Sequence, residues 1–179
     1  FVEDVAASGG YWLACAADEI FVDESSMTGS IGVIMAGFGL DKVISNYGVE
    51  RRVHTAGKSK SMLDPFKPEK DEDITRLKGW LEQLHGTFIA YVKSRRGAKL
   101  SDNPDLFTGE VYIGQNGVDE GLVDGIGHMV PVMKDRFGDK VQFRKYGERK
   151  SLLSRFGMSL MQDAVHMAED RAAFARFGL

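Results

Sequence analysis

Cysteine is nearly absent from this chain. Cys15 is the only one in 179 residues, which excludes an intrachain disulfide framework. It lies in an apolar, alanine-rich run and reads as a small buried hydrophobe. No uncharged stretch reaches the roughly eighteen residues that a membrane-spanning helix needs, and no signal sequence is visible. Histidine is sparse too. His54, His85, His128 and His166 share no ligand spacing with one another or with Cys15, so neither a metal site nor a cofactor is expected. Charge of one sign is also missing: 23 basic and 26 acidic residues leave a net charge of -3. That gives no pull toward nucleic acid or anionic lipid. There is no low-complexity tract and no internal repeat. What remains is a chain of one-domain size, 43% hydrophobic, with enough apolar content for a core.

Short strand-like runs alternate with helical patterns, which predicts one α/β domain. Phe1 to Val5, Glu19 to Val22, Ile31 to Met35, Val49 to Thr55, Glu110 to Ile113 and Val141 to Tyr146 read as strands. Tyr11 to Ala17, Leu40 to Tyr47, Gln115 to Gly121 and His128 to Phe137 read as helices. The strongest helix spans Glu69 to Arg96. Ile74, Leu77, Leu81, Leu84, Phe88 and Tyr91 mark one face, with acids at its start, bases at its end and Gly97 as a stop. This helix is predicted to be structural and without chemistry. A helical extension is expected over 151 to 179, after a catalytic domain over 1 to 150. Because Phe1 already lies in a strand-like run, earlier strand–helix units are expected before it, and the domain reads as N-terminally truncated.

The stretch Asp4-Val5-Ala6-Ala7-Ser8-Gly9-Gly10-Tyr11-Trp12 places Ser8 between a strand and a helix, flanked by small residues. Small neighbours allow a sharp turn and the close approach of a substrate backbone. Peptide N–H groups after the serine point to the same spot, as an oxyanion hole requires. The pattern resembles the G-x-S-x-G elbow, with Ala6 in place of the first glycine. Ser8 as a plain helix cap is the competing reading.

A serine nucleophile needs a base. None of the four histidines has an obvious acidic partner, and His85 falls inside the long helix. Lysine serves instead when it is held neutral. The loop Thr55-Ala56-Gly57-Lys58-Ser59-Lys60-Ser61-Met62-Leu63-Asp64-Pro65-Phe66 offers two lysines beside apolar residues. Solvated loop charges are the competing reading. A phosphate loop is excluded because Arg52 stands where its first glycine belongs, and a dinucleotide fingerprint fails at Lys42.

Taken together, the Ser8 stretch, Ala16-Ala17-Asp18-Glu19-Ile20, Thr28-Gly29-Ser30-Ile31-Gly32-Val33-Ile34, the lysine loop and Gly109-Glu110-Val111-Tyr112 onward to Asp124 resemble the signal peptide peptidase A family of serine–lysine proteases. The resemblance covers residues 1 to 145. It implies the crotonase/Clp-protease-like fold of stacked strand–strand–helix units, with Ser8 as nucleophile and Lys60 as general base. Ser30 would hold the lysine amine, and Gly9 would donate an oxyanion-hole N–H. It also implies signal peptides or similar apolar peptides as substrates, a homo-oligomeric ring, and a place at the bacterial inner membrane. The family's membrane anchor and its second oxyanion donor belong to segments upstream of Phe1. Two other classes compete with the endopeptidase reading: an acyl-CoA hydratase or hydrolase on the same fold, and a non-catalytic assembly module.

Overall fold

The computed structural model describes residues 1–57, 59–144 and 146. They group into two compact units. The first unit combines Phe1–Val33 with Trp80–Phe143, and the second is built on Ile34–Gly79 and carries α2 (Asp41–Asn46), within the helix predicted over Leu40 to Tyr47.

In the first unit, β1 (Val5–Ala7) leads into α1 (Gly9–Ala14), followed by β2 (Phe21–Val22) and β3 (Met27–Gly29). β1 and β3 pair in parallel, with Val5 opposite Met27 and Ala7 opposite Gly29. β4 (Val111–Ile113) adds to the other side of β3, antiparallel, and closes a three-stranded sheet in the order β1-β3-β4. After β4 come α4 (Gln115–Asp119) and β5 (Gly125–Ile126). β5 pairs with β2 in parallel, and Val2 forms a single bridge to Val22 beside it. α5 (Met129–Phe137) follows. Its Arg136 is ion-paired with Glu19 and lies over the ring of Phe21, 6.0 Å from the centroid.

The core gathers Tyr11, Cys15, Ile20, Val22, Ile31, Phe88, Val92, Leu106, Leu122 and Val123. Cys15 is buried and free, as expected. Tyr11 is fully buried and its hydroxyl donates to the Leu122 carbonyl at 2.7 Å, so its polar tip is satisfied inside an apolar site. Burial pushes its phenol pKa up.

The long helix α3 spans Asp71–Arg96, with Asp71, Glu72 and Asp73 in its first turn and Lys93, Arg95 and Arg96 in its last. From Trp80 onward it belongs to the first unit. Its existence and its end at Arg96 are as expected, and it starts at Asp71 rather than Glu69. Ile74, Leu77, Leu81, Phe88 and Tyr91 of the expected face are buried or half-buried, but the inward face differs at Leu84 and near the helix end. Leu84 is 52% exposed, whereas Phe88, Val92 and Arg96 are buried and His85 is half-buried. The stripe that turns inward therefore includes two polar side chains, and hydrogen bonds account for both. Arg96 donates through Nε to the Gly121 carbonyl at 2.9 Å and through Nη1 to Asp124 at 2.8 Å. The other Asp124 oxygen accepts from Lys99 at 2.6 Å, and the Ile20 N–H donates to the carboxylate at 2.8 Å.

Three predicted strands are not formed. Residues 31–35 carry no regular structure. Ser30 has φ 51° and the Gly32 N–H turns back to the Ser30 carbonyl, which breaks an extended run before it can pair. Ile31 alone is buried there, while Ile34 and Met35 are exposed. Residues 49–55 are irregular as well; Arg52 pairs with Glu50 two positions away and Arg51 with Asp64, so the alternation reflects exposed ion pairs rather than a sheet face. Val141 is tied in a turn to Gly138, and no strand runs through Arg144. α1 begins at Gly9 and ends at Ala14, shorter at its end than predicted, with Cys15 as its C-cap. The boundary at residue 150 and the helix expected over 151 to 177 lie outside the described residues.

Two expectations concern stability. Gly29 has φ +83°, and a Cβ there would stand 2.8 Å from the Glu110 carbonyl oxygen and 2.8 Å from the Tyr112 ring. Gly29→Ala should cost roughly 1–3 kcal/mol, whereas Gly10→Ala, where a Cβ meets nothing within 4 Å, should cost far less. Denaturant midpoints of the two variants decide this, and equal losses would refute the steric account. The second concerns Asp124. Burial alone would raise its pKa, but the hydrogen bonds from Arg96, Lys99 and the Ile20 N–H outweigh that and bring it down to about 2. Folding lowers this pKa, so the stabilisation is complete above the unfolded value near 3.8 and is lost as pH falls through about 2. Asp124→Asn should flatten the fall in stability between pH 5 and pH 2. Asp124→Ala should cost about 3–5 kcal/mol at neutral pH because it strands a buried guanidinium. Parallel pH profiles for the parent and Asp124→Asn proteins would rule out the linkage.

Candidate active site

Ser8 stands where the sequence places it, between β1 and α1. It is exposed and adopts φ 52°, ψ -120°, a conformation that side-chain-bearing residues rarely accept. It occupies the N-cap position of α1, yet its side chain makes no capping hydrogen bond. The plain-cap reading thereby loses its physical basis, because a capping serine acts through that bond. The backbone around it is tied down. The Ser8 N–H donates to the Gly29 carbonyl at 2.8 Å, and the Trp12 N–H donates to the Ser8 carbonyl at 3.0 Å. α1 presents Tyr11 to the core and stacks Trp12 on Phe88 and Tyr91 of α3, with ring centroids 4.6 Å and 5.7 Å apart. At its far end, Arg95 donates to the carbonyls of Cys15, Ala16 and Ala17 at 2.7, 3.1 and 3.0 Å. A guanidinium there satisfies the orphan carbonyls of a helix end.

Gly9 follows directly as the first residue of α1. Among the described residues, a Cβ built on Gly9 or Gly10 would meet nothing within 4 Å. Packing within this chain therefore does not demand glycine at either place, whereas an approaching peptide backbone would.

Ser30 ends the strand next to β1. The pairing of Ala7 with Gly29 brings Ser8 and Ser30 to the same end of the sheet, on neighbouring parallel strands. Ser30 also lies at positive φ, 51°, and its N–H donates to the Glu110 carbonyl at 2.6 Å. Two serines in strained conformations thus stand at adjacent strand ends.

Lys60 belongs to the second unit, on the loop that precedes α3, and is exposed. That loop is held from α3: Arg76 donates to the Ser59 hydroxyl at 3.1 Å and approaches the Met62 sulfur at 3.6 Å. Leu63 there has φ 55°. Asp64 accepts from the Phe66 N–H at 3.1 Å and pairs with Arg51, and that backbone hydrogen bond, aided by Arg51, holds its carboxyl below the usual range. Met62, Leu63 and Phe66, expected to form a dry wall, are half-buried. The structure brings Ser8, Gly9 and Ser30 together in the first unit.

Sequence reasoning missed the supports behind these residues. His85 donates from Nε2 to the Ile31 carbonyl at 2.9 Å, Arg95 closes α1, and Arg96 joins Asp124. The only signal for them was their spacing at 85, 88, 92, 95 and 96, in step with the buried face of α3.

The sequence model of Peptidase family S49 matches residues 1–142. Among curated relatives, a Brucella melitensis protein named as the Na(+)/H(+) antiporter NhaA is 48% identical over all of this chain, a match that covers 26% of its own length. An Enterococcus faecium protein provisionally named as signal peptide peptidase SppA is 31% identical over 70% of the chain and 37% of itself. The chloroplastic serine protease SPPA of Arabidopsis thaliana is 33% identical over 70% of the chain and 19% of itself. The chain thus spans under half the length of each of these relatives. The antiporter name covers a protein of which about three quarters lies outside the match, and no helix among the described residues is long and apolar enough to cross a membrane. The matched stretch, by contrast, takes in every residue that fits the peptidase family. The chain belongs to Peptidase family S49, as a protein of the signal peptide peptidase A type.

Proposed function

We propose that this chain carries the catalytic serine of an endopeptidase that works through a Ser8–Lys60 dyad on signal peptides or similar apolar peptides. The observation that supports it most is the conformation of Ser8. An exposed serine at φ 52°, ψ -120°, with no cap bond from its side chain, sits at a sharp strand-to-helix turn. Such strain persists where the hydroxyl has to be presented to a substrate.

In this reading Lys60 takes the proton of Ser8 as Oγ attacks the scissile carbonyl. The Gly9 N–H stabilises the negative oxygen of the tetrahedral intermediate. Lys60 then passes the proton to the departing amine, and the peptide C–N bond breaks to leave an acyl ester on Ser8. Water, deprotonated by Lys60, hydrolyses the ester and restores both residues. Ser30 orients the amine through its hydroxyl. No acidic third member is needed, in keeping with the absence of any persuasive triad in the sequence. Stacked strand–strand–helix units, a homo-oligomeric ring and membrane association through a segment outside this chain belong to the same proposal and rest on the family. Substrates with small or aliphatic residues at the cut should outrun charged ones.

The test is a set of variants in the full-length protein, assayed on one apolar peptide across pH. Ser8→Ala should lower kcat by about a thousandfold or more while leaving the fold intact. Lys60→Ala and Lys60→Arg should both be inactive, because guanidinium stays protonated and cannot accept a proton. Lys58→Ala should keep most of the activity. Ordinary turnover by Ser8→Ala sinks the serine assignment; an active Lys60→Arg sinks the dyad and leaves the serine standing.

A further inference from the structure

The turn that carries Ser30 holds a side-chain-bearing residue in a conformation that it resists. Gly29 and Ser30 lie consecutively at positive φ, 83° and 51°, and the Gly32 N–H folds back on the Ser30 carbonyl at 2.9 Å. A side-chain-bearing residue in the left-handed region is strained and stays there only where its surroundings over-determine it. Backbone partners do part of this work: the Gly29 carbonyl accepts from Ser8 and the Ser30 N–H donates to Glu110. The Ile31 carbonyl comes next. Its residue is fully buried, so an unmet oxygen there would carry a desolvation cost. The group that meets it is the imidazole of His85, at 2.9 Å.

We infer that His85 is a positioning residue for the reaction: its Nε2–H, held on α3, locks the Ser30–Gly32 turn and with it the place of Ser30 on the strand end next to Ser8. This rests on the peptidase reading given above. A carbonyl oxygen only accepts, so Nε2 must carry the proton. α3 is a rigid place from which to donate it. One turn further along, Phe88 is buried under Trp12 of the nucleophile helix, and further still Arg95 holds the end of that helix. One helix face thus reaches both strand ends, through Trp12 toward Ser8 and through His85 toward Ser30. The other ties on the turn listed above run between backbone groups. The bond from His85 comes from a side chain and can be deleted without altering the turn's own sequence.

Two variants separate this role from general support. His85→Ala removes the donor, whereas His85→Gln places an amide N–H near the position of Nε2. Amide hydrogen exchange at Ser30 and Gly32 reads the lock directly, with or without turnover. Exchange at both should speed up in His85→Ala and return toward the parent rate in His85→Gln. In the peptidase assay, His85→Ala should lower kcat roughly tenfold or more with little change in KM, and His85→Gln should recover most of it. Unchanged exchange in His85→Ala, or a glutamine variant no better than alanine in both measurements, overturns the inference. A Ser8→Ala protein as active as its parent would overturn the peptidase reading instead, and the exchange rates would still decide whether His85 holds the turn.

Discussion

The guanidinium of Arg96 is 4% exposed at the end of α3, and its pairing with Asp124 is the contact on which the rest of the first unit depends. Removing a charge from water is expensive, and a buried pair repays that cost only with good geometry and further hydrogen bonds. Here both are present. Asp124 also collects Lys99 and the Ile20 N–H, and Arg96 also reaches Gly121. Four separate stretches of chain therefore converge on one carboxylate: the entry to β2, the end of α3, the turn after it, and the approach to β5. Nη2 of Arg96 is the buried side-chain nitrogen left without a partner among the described residues. An apolar pair would avoid that cost, but it would not fix direction. A directional contact sets how far α3 advances over the sheet, and with it the heights at which Trp12, His85 and Arg95 make their contacts.

From that anchor the edge that carries Ser8 and Ser30 is assembled outward. The sheet is small, with strands of two or three residues, and such strands do not hold strained ends by pairing alone. Ser8 and Ser30 both deviate from ordinary backbone conformations at the ends of β1 and β3. Backbone hydrogen bonds hold them there, together with the contacts that α3 makes to Trp12 and to the Ile31 carbonyl. A rigid helix that supports two strained turns is the arrangement expected where side chains must be held to within a fraction of an ångström.

The turn that carries Ser8 was legible in the sequence for a simple reason. Strand, serine, two glycines and an apolar helix are local signals, and local chemistry determines such a turn. α3 was legible for the same reason, through its acidic start, basic end and glycine stop. The failures share a cause as well. Residues 31–35 look like a buried strand because Ile31, Val33 and Ile34 are β-formers, but a positive φ at Ser30 removes the partner edge, and propensity cannot register that. Residues 49–55 alternate because arginine and glutamate pair with near neighbours. On α3 the apolar count chose the stripe through Leu84, while the buried stripe runs through His85 and Arg96. Counting hydrophobes cannot find a face whose polar members are satisfied by partners distant in sequence, such as Ile31 and Asp124.

That last point bears on how a site of this kind is recognised. Ser8, Gly9 and Ser30 advertise themselves through small neighbours and glycine-rich turns, since exposure and tight backbone geometry constrain residue type. The residues that hold them carry no such mark. His85 within a long amphipathic helix reads as surface, and Arg95 and Arg96 read as charges placed for the helix dipole. Only the long-range partners distinguish the roles: Arg95 on the carbonyls closing α1, Arg96 on Asp124, His85 on Ile31. A polar side chain on the inward face of a helix, bonded to backbone just beyond the end of a strand, is there because the carbonyl needs a donor and the strand end needs a fixed position. The same bond meets both demands, so the placement of the exposed serines and the packing of α3 are one physical problem.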